Sequence, residues 1–251
     1  MISVITINLN NAEGLQKTIE SVVSQSELAL EYIVIDGASA DNSLEVIKSY
    51  SDKIKYWSSE PDTGIYNAMN KGILHSSGDY LLFLNSGDWL NNPDVLKQVS
   101  QHLHSFDVIS GDIDIYDLGK WHSMKSEDEI TVSHFFRLSL YHQATFISRK
   151  LFNRDGLYNE ELKSTGDYEF FIRSLLKNNG TYNHIHYTIS NFIANGISND
   201  PAYKDLNEKE WRRAWELNFS ENIINELKAC LHLKNSQEII WGRRLNKLMP
   251  F

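Results

Sequence analysis

A single cysteine, Cys230, stands in 251 residues. It has no partner for an internal disulfide, and nothing beside it has the spacing of a Cys/His metal site. A secreted disulfide scaffold is excluded, and a reducing cytoplasm is the expected compartment. Prolines number only four, and no Pro/Gly/Ser-rich linker or internal repeat divides the chain. The best apolar run, Tyr80 to Leu84, falls far short of the about 18 residues of a membrane helix. The first ten residues, MISVITINLN, lack a basic region and are interrupted by Ser3, Thr6 and Asn8, so they read as a buried strand and not a signal peptide. Basic charge is also scarce. With 24 Lys and Arg against 33 Asp and Glu, the net charge of -9 repels polyanions and gives no support to nucleic-acid binding.

What is present is alternation. Ser3 to Asn8, Tyr32 to Asp36, Ile54 to Ser58 and Tyr80 to Asn85 are short, β-branched or aromatic, and bounded by polar turn residues, as parallel strands are. Between them Leu15, Ile19, Val22 and Val23, then Leu44 and Ile47, then Ile65, Ala68, Met69 and Ile73 recur at helical spacing. Alternating strand and helix predicts an α/β fold with a doubly wound parallel sheet and ligand sites beyond the carboxyl ends of its strands. Those ends carry Asn8, Asp36, Glu60, Asp62, Asn85 and Asp88, which predicts a polar cleft. Beyond residue 105 the alternation weakens. Val108 to Tyr116 and Gln143 to Ser148 read as strands of mixed pairing, and Ile130 to Phe136 fits neither pattern. From Leu206 onward Trp211, Trp215, Phe219, Ile223 and Leu227 predict a helical extension, giving a main domain over 1–205 and an extension over 206–251.

The chain lacks G-x-G-x-x-G after its first strand, a P-loop, a G-x-S-x-G elbow and H-E-x-x-H. Dinucleotide, P-loop, serine-hydrolase and zincin chemistries lose their support, leaving a site of carboxylates and amides. The stretches VITINLNN, YIVIDGASADNS, SSEPDTGIYNAMNKGI, GDYLLFLNSGDWL, HQATFI and STGDYEFF, in that order and spacing, resemble family 2 glycosyltransferases of the GT-A fold across roughly residues 1 to 200. The resemblance implies an inverting enzyme of the bacterial polysaccharide or O-antigen type. Such an enzyme moves a sugar from a UDP-sugar to a carbohydrate hydroxyl, with undecaprenyl-diphosphate-linked sugars as an acceptor class.

It also implies roles for residues. Asn8, Asp36, Asp62, Gly64, Asn70, Lys71 and Asn85 would line the nucleotide-sugar site. For Asp36 an Asx turn followed by a helix cap at Ser39 or Asp41 explains the same residues. A solvated surface Lys explains Lys71 as well as a phosphate contact does. Asp88, in NSGD, stands where the family holds Mn²⁺ or Mg²⁺ through hard oxygen ligands. Asn85 and Gly87 occupy positions where acids are commoner, and a turn leaving the strand is the alternative. Asp167 would be the base that takes the acceptor's proton, with burial raising its pKa, and Glu169 is the weaker candidate. Both also suit the start of a helix. His142 and Gln143 would face the acceptor, although a structural histidine fits equally. His184 and His186 alternate on a strand-like segment, His102 and His104 flank Leu103 without further ligands, and none of the nine histidines is read as a metal site.

Asn195 to Ser198 resembles a loop that closes over the donor, and Cys230 reads as a buried, inert thiol. From Lys228 on, five basic residues face one acidic residue, Glu238, with Trp241 and aliphatics interleaved. That pattern suits an amphipathic helix at an anionic membrane, a packed helix or an oligomer contact. Two rivals remain. One is sugar nucleotidyl transfer, which wants a basic glycine-rich loop that NLNNAEG lacks. The other is a nucleotide-sugar-binding protein without catalysis.

Overall fold

The computed structural model describes residues 1–26, 30–194 and 201–231. In chain order the elements are β1 (Ile2–Asn8), α1 (Ala12–Val23), β2 (Leu30–Asp36), α2 (Ser43–Ser49), β3 (Tyr56–Ser59), α3 (Ile65–His75), β4 (Tyr80–Phe83) and β5 (Trp89–Leu90). They continue with α4 (Val95–Ser100), β6 (Val108–Asp117), β7 (Lys120–Met124), α5 (Val132–Phe135), β8 (Thr145–Ser148), α6 (Arg149–Asp155), α7 (Gly166–Phe171), β9 (Tyr182–Ile193) and α8 (Lys204–Asn218). The strands form one sheet in the order β3-β2-β1-β4-β8-β6-β9-β5, with β7 paired to β6. Pairing is parallel from β3 to β4 and becomes mixed beyond it, since β8 runs antiparallel to both β4 and β6 while β9 runs parallel to β6.

Side chains alternate across a strand, so each central strand feeds two cores. Ile5, Ile7, Ile33, Ile35, Leu81 and Phe83 face α3, α7 and α8, where Met69, Phe170 and Trp215 meet them. Val4, Tyr32, Val34, Leu82 and Leu84 face the other way, toward Leu15 and Ile19 of α1, Ile47 of α2 and Val95 and Val99 of α4. Helices on both faces of a sheet are the doubly wound arrangement that strand-helix alternation predicts.

Several boundaries differ from the sequence reading. Ile54 is buried but precedes β3, and Gln143 lies in a short 3₁₀ turn before β8. Residues 130–136 contain the single-turn α5, whose cap Thr131 accepts the His134 N–H. The run of aromatic and aliphatic residues from Trp211 to Leu227 is not one helix. Phe219 adopts extended backbone and ends α8, and a new helical stretch covers 221–231. The break shifts the inward face by one residue, burying Ile224 and leaving Ile223 exposed. Cys230 lies off that face and is exposed, which corrects the expectation of a buried thiol. The extension is not detached from the main domain, because Trp215 lies in the core and donates from Nε1 to the Tyr168 hydroxyl at 2.8 Å. The Asn195 to Ser198 loop and the basic stretch from residue 232 lie outside the described residues. No described helix is long and apolar enough to cross a membrane.

Candidate active site

The carboxyl ends of β1, β2 and β3 meet in a network centred on Asp36. This side chain is completely shielded from solvent. Its Oδ1 accepts from Asn8 Nδ2 at 2.7 Å and Ser39 Oγ, and its Oδ2 accepts from Ser39 N at 3.0 Å and Ser59 Oγ at 2.6 Å. Burial disfavours the charge, but these donors outweigh it and hold the carboxyl below its ordinary range. The Asp36 carboxylate thus holds the turn after β2, and four hydrogen bonds saturate both its oxygens. Asp41 caps the next helix from one position before its N-cap, taking the Ser43 N–H at 3.0 Å. Asn8 Oδ1 is buried and has no partner among the described residues.

Asp62 is half-buried beside this network. Its Oδ1 accepts the Gly64 N–H at 2.9 Å, and a Cβ at Gly37 would come within 2.6 Å of Oδ2, so a side chain there would push the Asp62 carboxylate aside. Gly64, at φ +137°, is the N-cap of α3. Asn70 and Lys71, both expected at the nucleotide, make contacts within the chain. Asn70 is buried, donating to the Tyr158 carbonyl at 3.0 Å and to Glu160 at 2.8 Å while accepting the Tyr158 N–H. Lys71 bridges Glu60 at 2.9 Å and the Pro61 carbonyl at 3.1 Å.

The second half of the site gathers around Asp167 in the first turn of α7. Tyr66 Oη donates to Oδ1 at 2.7 Å, and His142 Nδ1 lies 3.3 Å from Oδ2. The other His142 nitrogen, Nε2, is 3.2 Å from Asn85 Nδ2. An amide nitrogen can only donate, so with this amide orientation and a neutral ring Nε2 accepts and Nδ1–H points to Asp167; a charged ring donates from both nitrogens and requires the Asn85 amide to turn over. Gly166 makes the arrangement possible, since a Cβ there would sit 2.8 Å from the Tyr66 ring. Burial alone would raise the Asp167 pKa, as the sequence leads one to expect. The His142 and Tyr66 hydrogen bonds and the charge of His142 prevail instead, and the carboxyl lies below its ordinary value. For His142 burial opposes the charged form, yet Asp167 and Asp88 raise it above the usual imidazole value.

Glu169 is not available as a base. It is buried in a two-pronged ion pair with Arg173, at 3.0 and 3.1 Å, and accepts from Asn218 at 2.9 Å. Gln143 is buried in its turn.

Asp88 follows β4 on the Asn85–Asp88 turn, where Gly87 takes φ +102° and Thr18 Oγ1 donates to the Asp88 carbonyl at 2.6 Å. Burial pushes the Asp88 carboxyl up to about 7, against a smaller opposing effect of His142. On the same turn Asn85 Oδ1 is buried and has no partner among the described residues. A desolvated carboxylate and an orphaned amide oxygen are the hard oxygen donors that Mn²⁺ or Mg²⁺ takes, so the residues fit such an ion.

The glycosyl transferase family 2 sequence model matches residues 3–186. The chain belongs to that family. An uncharacterized glycosyltransferase of Mycobacterium tuberculosis is 35% identical over 184 residues, covering 70% of this chain and 69% of the relative. A PGL/p-HBAD biosynthesis glycosyltransferase of Mycobacterium bovis is 27% identical over 214 residues, 82% of each chain. Among solved structures, S. aureus TarS is similar with a TM-score of 0.65 at 20% identity, over 77% of this chain and 60% of that one. The chain thus spans less than two thirds of the TarS fragment. A mannosyltransferase of Pyrobaculum calidifontis, solved with GDP-Man and Mn²⁺, has a TM-score of 0.60 at 13% identity over 76% of this chain and 56% of that one. The fold is that of the GT-A family 2 enzymes. In this member of the family, sequence reasoning missed Tyr66, Ser59 and Thr18. Tyr66 stands inside the quoted GIYNAM stretch, but nothing local marks its hydroxyl as a partner of a carboxylate a hundred residues away.

Proposed function

We propose that this glycosyltransferase transfers a sugar with inversion from a UDP-sugar to a carbohydrate hydroxyl, with Asp167 as base. The observation that carries the reading is His142, which joins Asp167 on one ring nitrogen to Asn85, on the Asp88 turn, through the other. The proposed base and the Asp88 turn are thereby linked through one imidazole ring. Asp167 is ionised at neutral pH and accepts the acceptor proton as the oxygen attacks the anomeric carbon from the face opposite the leaving group. A carboxylate of low basicity takes that proton once bond formation has acidified the hydroxyl, and His142 and Tyr66 keep it oriented meanwhile.

Asp88 and Asn85 would hold the divalent cation. When bound, it offsets the charge growing on the departing nucleoside diphosphate. Asp62 and the turn shaped by Asp36 and Asn8 would border the nucleoside. TarS has been solved with UDP and with UDP-GlcNAc, which supports a uridine donor. The proposed acceptor is a lipid-linked sugar in cell-surface polysaccharide assembly, met at the cytoplasmic membrane face through the basic C-terminal stretch.

The reading is tested by thermal shift with UDP, GDP, CMP and TDP, each with and without Mn²⁺, followed by transfer assays with UDP-sugars. Stabilisation by UDP that requires Mn²⁺, and loss of transfer but not of UDP binding in Asp167→Asn, are expected. Unchanged transfer in Asp167→Asn removes Asp167 from the chemistry. Unaltered liposome partition after deletion of residues 234–251 removes the membrane contact.

A further inference from the structure

On the β6-β9 side of the sheet, a loop after β7 brings Asp128 against two histidines of β9. Asp128 Oδ1 lies 2.7 Å from His184 Nδ1 and 3.5 Å from His186 Nε2, and the imidazole rings are 4.5 Å apart. One ligand atom from each residue falls within 4.8 Å of the other two. His184 is held rigidly, with its side chain only 2% exposed and its Nε2 2.7 Å from Asp112 Oδ1. Asp112 is itself buried and accepts the Ser126 N–H at 3.2 Å, so the brace belongs to the same loop. His186 and Asp128 are open to solvent.

His184 therefore meets a carboxylate at each nitrogen. A neutral imidazole has one N–H and satisfies only one of them. With Nε2–H donated to Asp112, the lone pair of Nδ1 is directed at the Asp128 oxygen, a conflict that either a second ring proton or a metal cation between the two removes. A carboxylate, a histidine and a metal in line is how ligating imidazoles are commonly oriented. We propose that Asp128, His184 and His186 form a binding site for a Zn²⁺-like transition-metal ion, distinct from the Asn85–Asp88 turn and independent of the glycosyl-transfer reading.

Two imidazole nitrogens and one carboxylate oxygen select a borderline ion such as Zn²⁺ over Mg²⁺, whose preference is for oxygen. Ligand atoms about 2.0 to 2.2 Å from a tetrahedral zinc stand about 3.3 Å apart, so the 3.5 Å separation already fits and the 2.7 Å one opens by about half an ångström. Solvent fills the fourth position through the open side. Lys125 adds a smaller positive charge acting on Asp128, behind those of the two histidines, and Asp112 supplies a compensating carboxylate. The bound ion ties the Asp128 loop to β9. That loop leads into α5, whose Phe135 carbonyl receives the hydroxyl of Tyr168, the neighbour of Asp167.

The test is zinc titration of the metal-stripped protein by calorimetry, beside Asp88→Asn, His186→Ala and Asp128→Asn. The last two replace exposed side chains, and circular dichroism checks their folding. One equivalent of Zn²⁺ bound by the wild type and by Asp88→Asn is expected, with at least tenfold weaker binding in His186→Ala and in Asp128→Asn. X-ray absorption of the loaded protein should show two imidazoles per zinc. Absence of zinc binding overturns the proposal, as does binding that His186→Ala and Asp128→Asn leave unchanged. Loss of binding in Asp88→Asn alone would place the ion at the donor turn and overturn it equally. Failure of sugar transfer in the function assays does not bear on this result.

Discussion

Tyr66 and Asp167 are 101 residues apart, and the tyrosine hydroxyl donates to the carboxylate at 2.7 Å over a backbone that only Gly166 brings close enough. The bond stabilises the ionised form of Asp167 and fixes its direction. Removing the donor in Tyr66→Phe is expected to lower kcat about tenfold or more while KM changes little, since a hydrogen bond to a charged group is worth about 1.5 to 3 kcal/mol. The acid limb of the pH-rate profile should move to higher pH, because a carboxylate that has lost a donor ionises less readily. An unmoved limb would give Tyr66 a structural role only.

Asp167→Asn keeps the shape and one acceptor oxygen but has no basic carboxylate. Transfer should fall by about 10² to 10⁴, the usual contribution of a general base. UDP-induced stabilisation should persist, which separates loss of chemistry from loss of the donor site.

Gly166→Ala drives a methyl group into the Tyr66 ring. Overpacking of this kind costs about 1 to 3 kcal/mol, and chemical denaturation should report it. Activity should fall more than stability implies, because the displaced Tyr66 ring carries the hydroxyl that donates to the proposed base, Asp167.

Asp88 sets a pH dependence of stability opposite in sign to that of Asp167. Its folded carboxyl titrates at about 7 against an ordinary 3.8, so the folded state favours the protonated form. That contribution is fully present below the unfolded value and is lost as pH rises toward and through 7. In EDTA, Asp88→Asn should therefore match the wild type near pH 4 and be more stable at pH 8, by up to about 4 kcal/mol at 1.36 kcal/mol per unit. Mn²⁺ should narrow the difference at pH 8 by stabilising the wild type. Asp167, whose folded pKa is depressed, stabilises above its unfolded value and ceases to do so as pH falls through the folded one.

Asp36→Ala strands the donors of Asn8, Ser39 and Ser59 around a buried void. A loss of about 2 to 4 kcal/mol in urea denaturation is expected, as for buried polar groups left unpaired. Asp36→Asn, which retains one acceptor, should lose less.

The amino-acid order by itself determined the alternation of strands and helices, the two-faced core and the gathering of polar residues at strand ends. Each of these follows from a period of two or 3.6 residues and from turn chemistry, which are local. The quoted motifs likewise carried the family. Local pattern did not reveal that Asp36 is saturated by three neighbours or that Asn70 serves the 158–160 segment. Nor did it show that α8 breaks at Phe219, or that His142 reaches both Asp167 and the Asp88 turn. These depend on which strands lie side by side and in what register. Antiparallel pairing of β8 between β4 and β6 carries His142 to Asn85 and Asp167, and parallel pairing of β9 with β6 sets His184 beside Asp112. Contacts between residues so far apart arise from packing the whole sheet, and only the tertiary structure decides them.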